Sequence, residues 1–340
     1  MVSPFAFVFM ILLAGGASSV IAFNQLTPTL GGATIPISNL VVIVMENKGL
    51  NDTYGSHCPG NCTYITKLAN EHGLAENYSS VAHTSLPDYL TLTSGGNYDR
   101  PPFDTDCYPE NQTTGCYVSS PDIVDSIESS GRTWRAYMED YTGGCKLSHT
   151  SSYYVNNHNP FVYYTDIYRN ATRCGRIVDA NPGENGFLAL PTQLLADLNS
   201  TATASNYMWL TPNLCDDGHT LCPPLNNTVS QANLYLSLLV PKILSSPIFM
   251  TQNAALFITW DESSTKSKNI VTAIWAGPTN KPTYKSTTPY DHYSAIKTVE
   301  VGLGLPSLYS TDQAASSMSE FFNPIQSTTL GGGGRRPLAM

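Results

Sequence analysis

The segment HTSLPDY, His83 to Tyr89, places an imidazole, two hydroxyls, a proline and a carboxylate directly before the apolar run YLTLTSG. A serine or threonine hydroxyl is a weak nucleophile near neutral pH and needs a base or a metal ion to activate it. The same residues also make a good helix start. Thr84 or Ser85 suits the N-cap, Pro87 the first turn, and Asp88 the positive end of the helix dipole. The two readings are compatible, because a helix N-terminus that needs a capping oxygen also presents N–H groups to an incoming anion.

Other reactive groups stand where apolar strands end. NLVVIVM runs into Glu46-Asn47, ALFITW into Asp261-Glu262, and NYMWLTPNLC into Asp216, Asp217 and His219. After the strand containing Ile274-Trp275, the chain reaches Tyr290-Asp291-His292. Each is unremarkable alone: Glu46-Asn47 as a solvated turn, Asp261-Glu262 as a cap, His219 as a loop residue, Asp291 as an N-cap. Together they supply carboxylates, an amide and imidazoles, a donor set that suits a hard divalent cation.

The elements that must position these groups alternate between strand and helix. Short β-branched or apolar runs read as buried strands at 39–46, 133–138, 206–211, 255–262 and 269–277. Helices are expected at 86–94, 121–130, 229–244 and 292–301, the last ended by Gly302. Such alternation implies an α/β domain whose mostly parallel central sheet is flanked by helices on both faces. Ligands of such sheets bind at the carboxyl ends of strands, where the reactive groups lie. Two long irregular stretches, 97–120 and 141–191, interrupt the pattern and carry four of the cysteines, as functional or stapled insertions do.

The order MEN, HxSLPxYLxLTSG, TPNLCxDxHxxxC, TWDE and YDHYS resembles the phosphoesterase family of bacterial acid phosphatases and phospholipases C, within the alkaline-phosphatase superfamily. The likeness spans about Asn39 to Gly304. It implies an alkaline-phosphatase-like fold with disulfide-stapled loops. It also implies a divalent metal, one or two ions, held by Glu46, Asn47, Ser85, Asp261 and Glu262. By position the nucleophile is Ser85, and the phosphate contacts are Asn47, Asp88, Asp217, His219 and His292. His83, His219 and His292 become candidate proton donors, with Asp217, His219 and His292 alternatively a second ligand group. Relatives commonly carry proline at Thr84 and asparagine at Asp88. A carboxylate at Asp88 would repel phosphate unless protonated or metal-bound. The CxPxR-type motif of sulfatases is missing around Ser85, which disfavours sulfate esters. The implied function is a metal-dependent phosphoesterase, foremost an acid phosphatase forming a phosphoserine. A phospholipase C or other diesterase is the alternative, and a non-catalytic glycosylated surface protein on the same fold is the reading from another class.

Composition bears on where the protein works. The 340 residues carry a net charge of −9, which argues against nucleic acid as a partner, and only 13% are charged, so an acid medium has little to titrate. An apolar run from Phe5 to Leu13 followed by small residues resembles a secretory signal over 1–22. It has no Lys or Arg before the apolar core, and apolar residues continue to Phe23, so an uncleaved anchor is the alternative. An extension over 23–38, a phosphoesterase domain over 39–326 and a flexible Gly-rich tail over 327–340 complete the expected organisation.

Eight cysteines fall into near-neighbour couples, Cys58/Cys62, Cys107/Cys116, Cys145/Cys174 and Cys215/Cys222. Lacking CxxC pairs, they favour disulfides over zinc, with connectivity open. Glycosylation sequons begin at Asn51, Asn61, Asn77, Asn111, Asn170, Asn199 and Asn226. The expectation is a secreted or cell-surface protein with N-glycans, acting on a phosphate-ester small molecule or a phospholipid.

Overall fold

The computed structural model describes residues 35, 37–108, 115–145, 152–264 and 268–323. The leader over 1–22, most of the extension over 23–38, the tail over 327–340 and the sequon at Asn111 lie outside the described residues.

Ten strands are described: β1 (Asn39–Met45), β2 (Gly73–Ala75), β3 (Tyr78–Ser79), β4 (Trp134–Met138), β5 (Ile177–Asp179), β6 (Tyr207–Thr211), β7 (Ala254–Trp260), β8 (Ala273–Ala276), β9 (Tyr284–Ser286) and β10 (Tyr290–Asp291). Eight form one sheet in the order β5-β4-β6-β1-β7-β8-β2-β9, and β10 pairs with β3 apart from it. β1 lies between β6 and β7, parallel to both, with Val42 opposite Trp209 on one side and Phe257 on the other. Every residue of β1 and β7 is buried, as expected for runs such as LVVIV covered on both faces. β8 is the exception to the parallel rule, running antiparallel to both β7 and β2. Among the described residues no helix intervenes between Trp260 and Ala273 to cross the sheet, so the chain returns alongside itself.

The main helices are α1 (Thr63–Glu71), α2 (Ser85–Ser94), α3 (Ile123–Ser129), α4 (Thr228–Leu244) and α5 (His292–Leu303). α1 packs against α4 and α2 against α5, giving the expected helix layers of an α/β fold. α5 runs past Gly302 and stops at Gly304, which takes the left-handed conformation at φ 64°. Gly302 has a different reason to be glycine: a Cβ there would stand 2.6 Å from Ile37 Cδ1. The strand expected over 269–277 narrows to β8, and the irregular stretch 141–191 contains β5.

Four disulfides join Cys58–Cys62, Cys107–Cys116, Cys145–Cys174 and Cys215–Cys222, so every cysteine is paired and the zinc alternative falls. No helix among the described residues is long and apolar enough to cross a membrane.

Candidate active site

The carboxyl ends of β1, β6 and β7 converge with the N-terminus of α2. β1 delivers Glu46, which is fully buried, and then Asn47, whose φ of 45° turns the chain sharply. Asparagine tolerates that left-handed geometry better than most residues. Asn47 donates its backbone N–H to Asp261 Oδ1 at 2.8 Å. Its side-chain amide donates to Asp261 Oδ2 at 3.3 Å and to Glu262 Oε1 at 3.1 Å. The end of β7 is thereby locked to the end of β1. His83 joins the same chain, its Nδ1 3.3 Å from Glu262 Oε2.

Ser85 is the first residue of α2 and is 5% exposed. Its Oγ donates to Glu46 Oε2 at 3.2 Å, and Tyr89 OH, one turn on, donates to Glu46 Oε1 at 2.5 Å. Ser85, Glu46, Asn47, Asp261 and Glu262, expected to share a metal, thus form one connected group.

Asp217, after β6, is buried against the same centre. Its Oδ1 accepts the His219 backbone N–H at 2.7 Å, while Oδ2 has no hydrogen-bond partner among the described residues. The His219 ring stays exposed, with Nδ1 3.2 Å from Thr220 Oγ1. Asp88 accepts the Val81 and Ala82 N–H groups on Oδ1, each at 3.1 Å, and its Oδ2 is likewise unpartnered. His292, fully buried at the start of α5, lies behind the acid cluster and not at its mouth. Its Nε2 donates to the Asp261 carbonyl at 2.7 Å and its Nδ1 accepts from Tyr78 OH at 2.7 Å. Both ring nitrogens are committed to protein, and burial pushes the pKa down to about 4, leaving the ring neutral.

One residue of this centre had no counterpart in the sequence expectations. His158, from a short turn at Asn156–His158, stacks flat on the Tyr89 ring with centroids 5.3 Å apart. Its Nε2 stands 3.4 Å from Glu46 Oε1 and its Nδ1 3.6 Å from Asp217 Oδ2. The His158 and His219 rings meet edge to face at 5.9 Å, linking the buried centre to the exposed imidazole. The only signal in the chain was the polar NNHN inside an otherwise aromatic loop.

So many buried carboxylates oppose one another. Burial, then Asp261 and Asp217, hold the Glu46 carboxyl well above its usual range. Burial and Asp261 do the same to Asp88, and burial pushes Asp217 up to about 8 against the pull of His219. Uncompensated buried charge is strongly destabilising. A hard cation would relieve it, and the two unpartnered carboxylate oxygens are the kind of donor such an ion takes. Glu46, His158 and Asp217 already bring ligand atoms within 4.8 Å of one another. A second acidic group, Asp122, Asp125 and Asp166, is equally tight. Arg173 answers it, bonding Asp125 at 2.8 Å, Glu128 at 2.9 Å and also Asp166.

A solved protein of the alkaline phosphatase superfamily from Vibrio parahaemolyticus superposes with a TM-score of 0.57 at 13% identity, over 81% of this chain and 69% of its own. The fold is therefore that of the alkaline-phosphatase superfamily. The model of the phosphoesterase family matches residues 45–306, and the chain belongs to that family. Among curated relatives, a probable acid phosphatase of Kluyveromyces lactis is 26% identical over 300 residues, covering 85% of this chain and 63% of its own. An acid phosphatase of Aspergillus fumigatus is 28% identical over 260 residues, covering 73% and 52% respectively. The chain thus spans between half and two thirds of the length of these two relatives.

Proposed function

We propose that this protein is a metal-dependent phosphoesterase that hydrolyses phosphate monoesters through a phosphoserine at Ser85. The observation that carries the reading is the hydroxyl of Ser85, at the first position of a helix and bonded to buried Glu46, beside carboxylate oxygens that no donor among the described residues satisfies. Glu46, Asn47, Ser85, Asp261 and Glu262 would hold the cation, with Asp217 and His158 on its flank. When bound, a divalent ion would stabilise the serine alkoxide and polarise a phosphoryl oxygen.

The chain's own groups divide the remaining work. Ser85 Oγ bonds to phosphorus as the ester P–O bond breaks, its proton passing along the existing bond toward Glu46 Oε2, and water then cleaves the phosphoserine to release phosphate and return the serine. The N-terminus of α2 faces the phosphoryl anion. Tyr89 and the stacked His158 hold the Glu46 carboxylate in place. His219, exposed at the rim, and His83, partly exposed beside Glu262, are the candidate donors to the leaving oxygen. His292 is a positioning residue that fixes the Asp261 backbone. Asp88 serves α2 by tying down the Val81 and Ala82 amides; phosphate contact would require its protonation or a cation beside it.

The names of the curated relatives favour a monoester substrate and acid use. A diester or phospholipid remains the second substrate class, and a non-catalytic surface protein the reading from another class. Four disulfides and the sequons support an extracytoplasmic, glycosylated protein.

The test is hydrolysis of an aryl phosphate, a bis-aryl phosphate and phosphatidylcholine, with and without chelator, by the wild-type protein and by Ser85→Ala. The alanine variant is expected to lose at least about a thousandfold in rate, as removal of a nucleophile does. Full activity in Ser85→Ala would sink the nucleophile assignment. A wild-type rate profile peaking well above about pH 8 would contradict acid use, since desolvation holds the His219 pKa below its ordinary value and this donor keeps its proton only in acid.

A further inference from the structure

The Leu86 amide, in the first turn of α2 and next to Ser85, is already occupied. It donates to Asp106 Oδ1 at 2.8 Å from 20 residues away in the chain. Thr84 is the N-cap by position, yet its side chain makes no capping bond and donates to the Asp104 carbonyl instead. Asp106 therefore caps the nucleophile helix in trans, from a left-handed backbone position at φ 49°. The next residue is tied down by the Cys107–Cys116 disulfide. Asp106 also takes a hydrogen bond from the Asn157 side chain and lies within the electrostatic reach of His158 and Asp261. A carboxylate thus stands where helix N–H groups and the helix dipole favour an anion.

We propose that Asp106 is a specificity-determining residue, whose carboxylate beside Ser85 penalises substrates in proportion to the charge on their phosphate. The inference rests on Ser85 as the residue that receives the phosphoryl group. Coulomb energy is linear in charge, so a penalty of about threefold for one charge becomes about tenfold for two. A phosphate monoester is mostly dianionic above its second pKa of about 6, whereas a diester carries one charge. Asp106 therefore narrows the preference for monoesters over diesters at neutral pH. The penalty eases in acid, as the monoester takes up its second proton.

Asp106→Asn keeps an oxygen for the Leu86 amide and removes the charge; Asp106→Ser, a neutral capping hydroxyl, is the second neutral variant. Asp99→Asn, exposed and a few residues away, controls for net charge. The readout is kcat/KM for 4-nitrophenyl phosphate against bis(4-nitrophenyl) phosphate with added divalent metal at fixed ionic strength and about pH 7.5, where the monoester is a dianion. The monoester-to-diester ratio is expected to rise about threefold in both neutral variants and to stay unchanged in Asp99→Asn. Calorimetric titration with inorganic phosphate is expected to show about tenfold tighter binding. An unchanged ratio with unchanged phosphate affinity would overturn the proposal. So would an equal collapse of both activities in a folded variant, which would make Asp106 an essential ligand. If the wild type hydrolyses neither ester, the phosphoesterase reading fails, and the phosphate titration still decides the role of Asp106.

Discussion

Replacing Glu300 with glutamine should leave the protein equally stable in acid and make it more stable in alkali. Glu300 sits in the last turn of α5, 1% exposed, and packs against the fully buried Asp312. Its Oε2 accepts from Ser307 Oγ at 2.7 Å and its Oε1 from the Leu308 N–H at 3.2 Å. Asp312 Oδ2 shares that same N–H at 3.0 Å. The nearest cation, Lys297, is 3.9 Å away. Burial and Asp312 push the Glu300 carboxyl up to about 8. The native state then holds a proton that the unfolded chain, with a glutamate pKa of about 4.3, releases. The stabilisation is complete below about pH 4 and is lost as pH rises through about 8.

At about 1.4 kcal/mol per pKa unit, the full span would be worth ~5 kcal/mol. Relaxation of the protein and water penetration around the ionised carboxylate reduce it to about 2–3 kcal/mol. Glutamine mimics the protonated acid at every pH. Thermal unfolding followed by circular dichroism should show matching midpoints at about pH 5 and a Glu300→Gln midpoint roughly 5 °C higher at about pH 9. Glu300 makes none of the active-site contacts, so kcat/KM should not change. A midpoint difference that is the same at both pH values, or a less stable variant at the higher one, would refute the assignment of a proton to native Glu300.

His158→Ala removes the imidazole between Glu46 and Asp217 and should lower kcat/KM by about a hundredfold or more, a typical loss for a proton-transferring or ligand-holding group. Retention of most activity in steady-state assays would return His158 to a packing role. Arg173→Leu strips the guanidinium, 16% exposed, from Asp125, Glu128 and Asp166, and should cost about 3–5 kcal/mol in urea unfolding. A cost under about 1 kcal/mol would show that the three acids are screened by water instead.

What the sequence made legible follows from how local each feature is. β1 and β7 announce themselves because a strand buried on both faces is a continuous apolar run, and the groups at their carboxyl ends follow from the chain direction. β2, β5 and β9 have three residues each, too few to set up any period. His158 lies on a single turn inside a long loop, so nothing in its neighbours fixed its direction. The stack on Tyr89 aims it at Glu46. His292 illustrates the converse. Asp291 caps α5 as expected, accepting the Ser294 N–H at 2.9 Å, but the packing of α5 against α2 turns the next residue inward. There it holds the Asp261 backbone.

The start of α2 shows most plainly where local rules stop. HTSLPDY does begin a helix, with Thr84 at the N-cap position, and the capping oxygen is expected from that residue or its neighbour. The fold gives that task to Asp106, releasing the Ser85 hydroxyl to face Glu46. A cap supplied in trans satisfies the helix amide and leaves the serine uncommitted to its own backbone. A nucleophile in this place needs that freedom. The arrangement sets a carboxylate on the amide of the residue next to Ser85, and the proposed charge dependence of substrate choice follows from it.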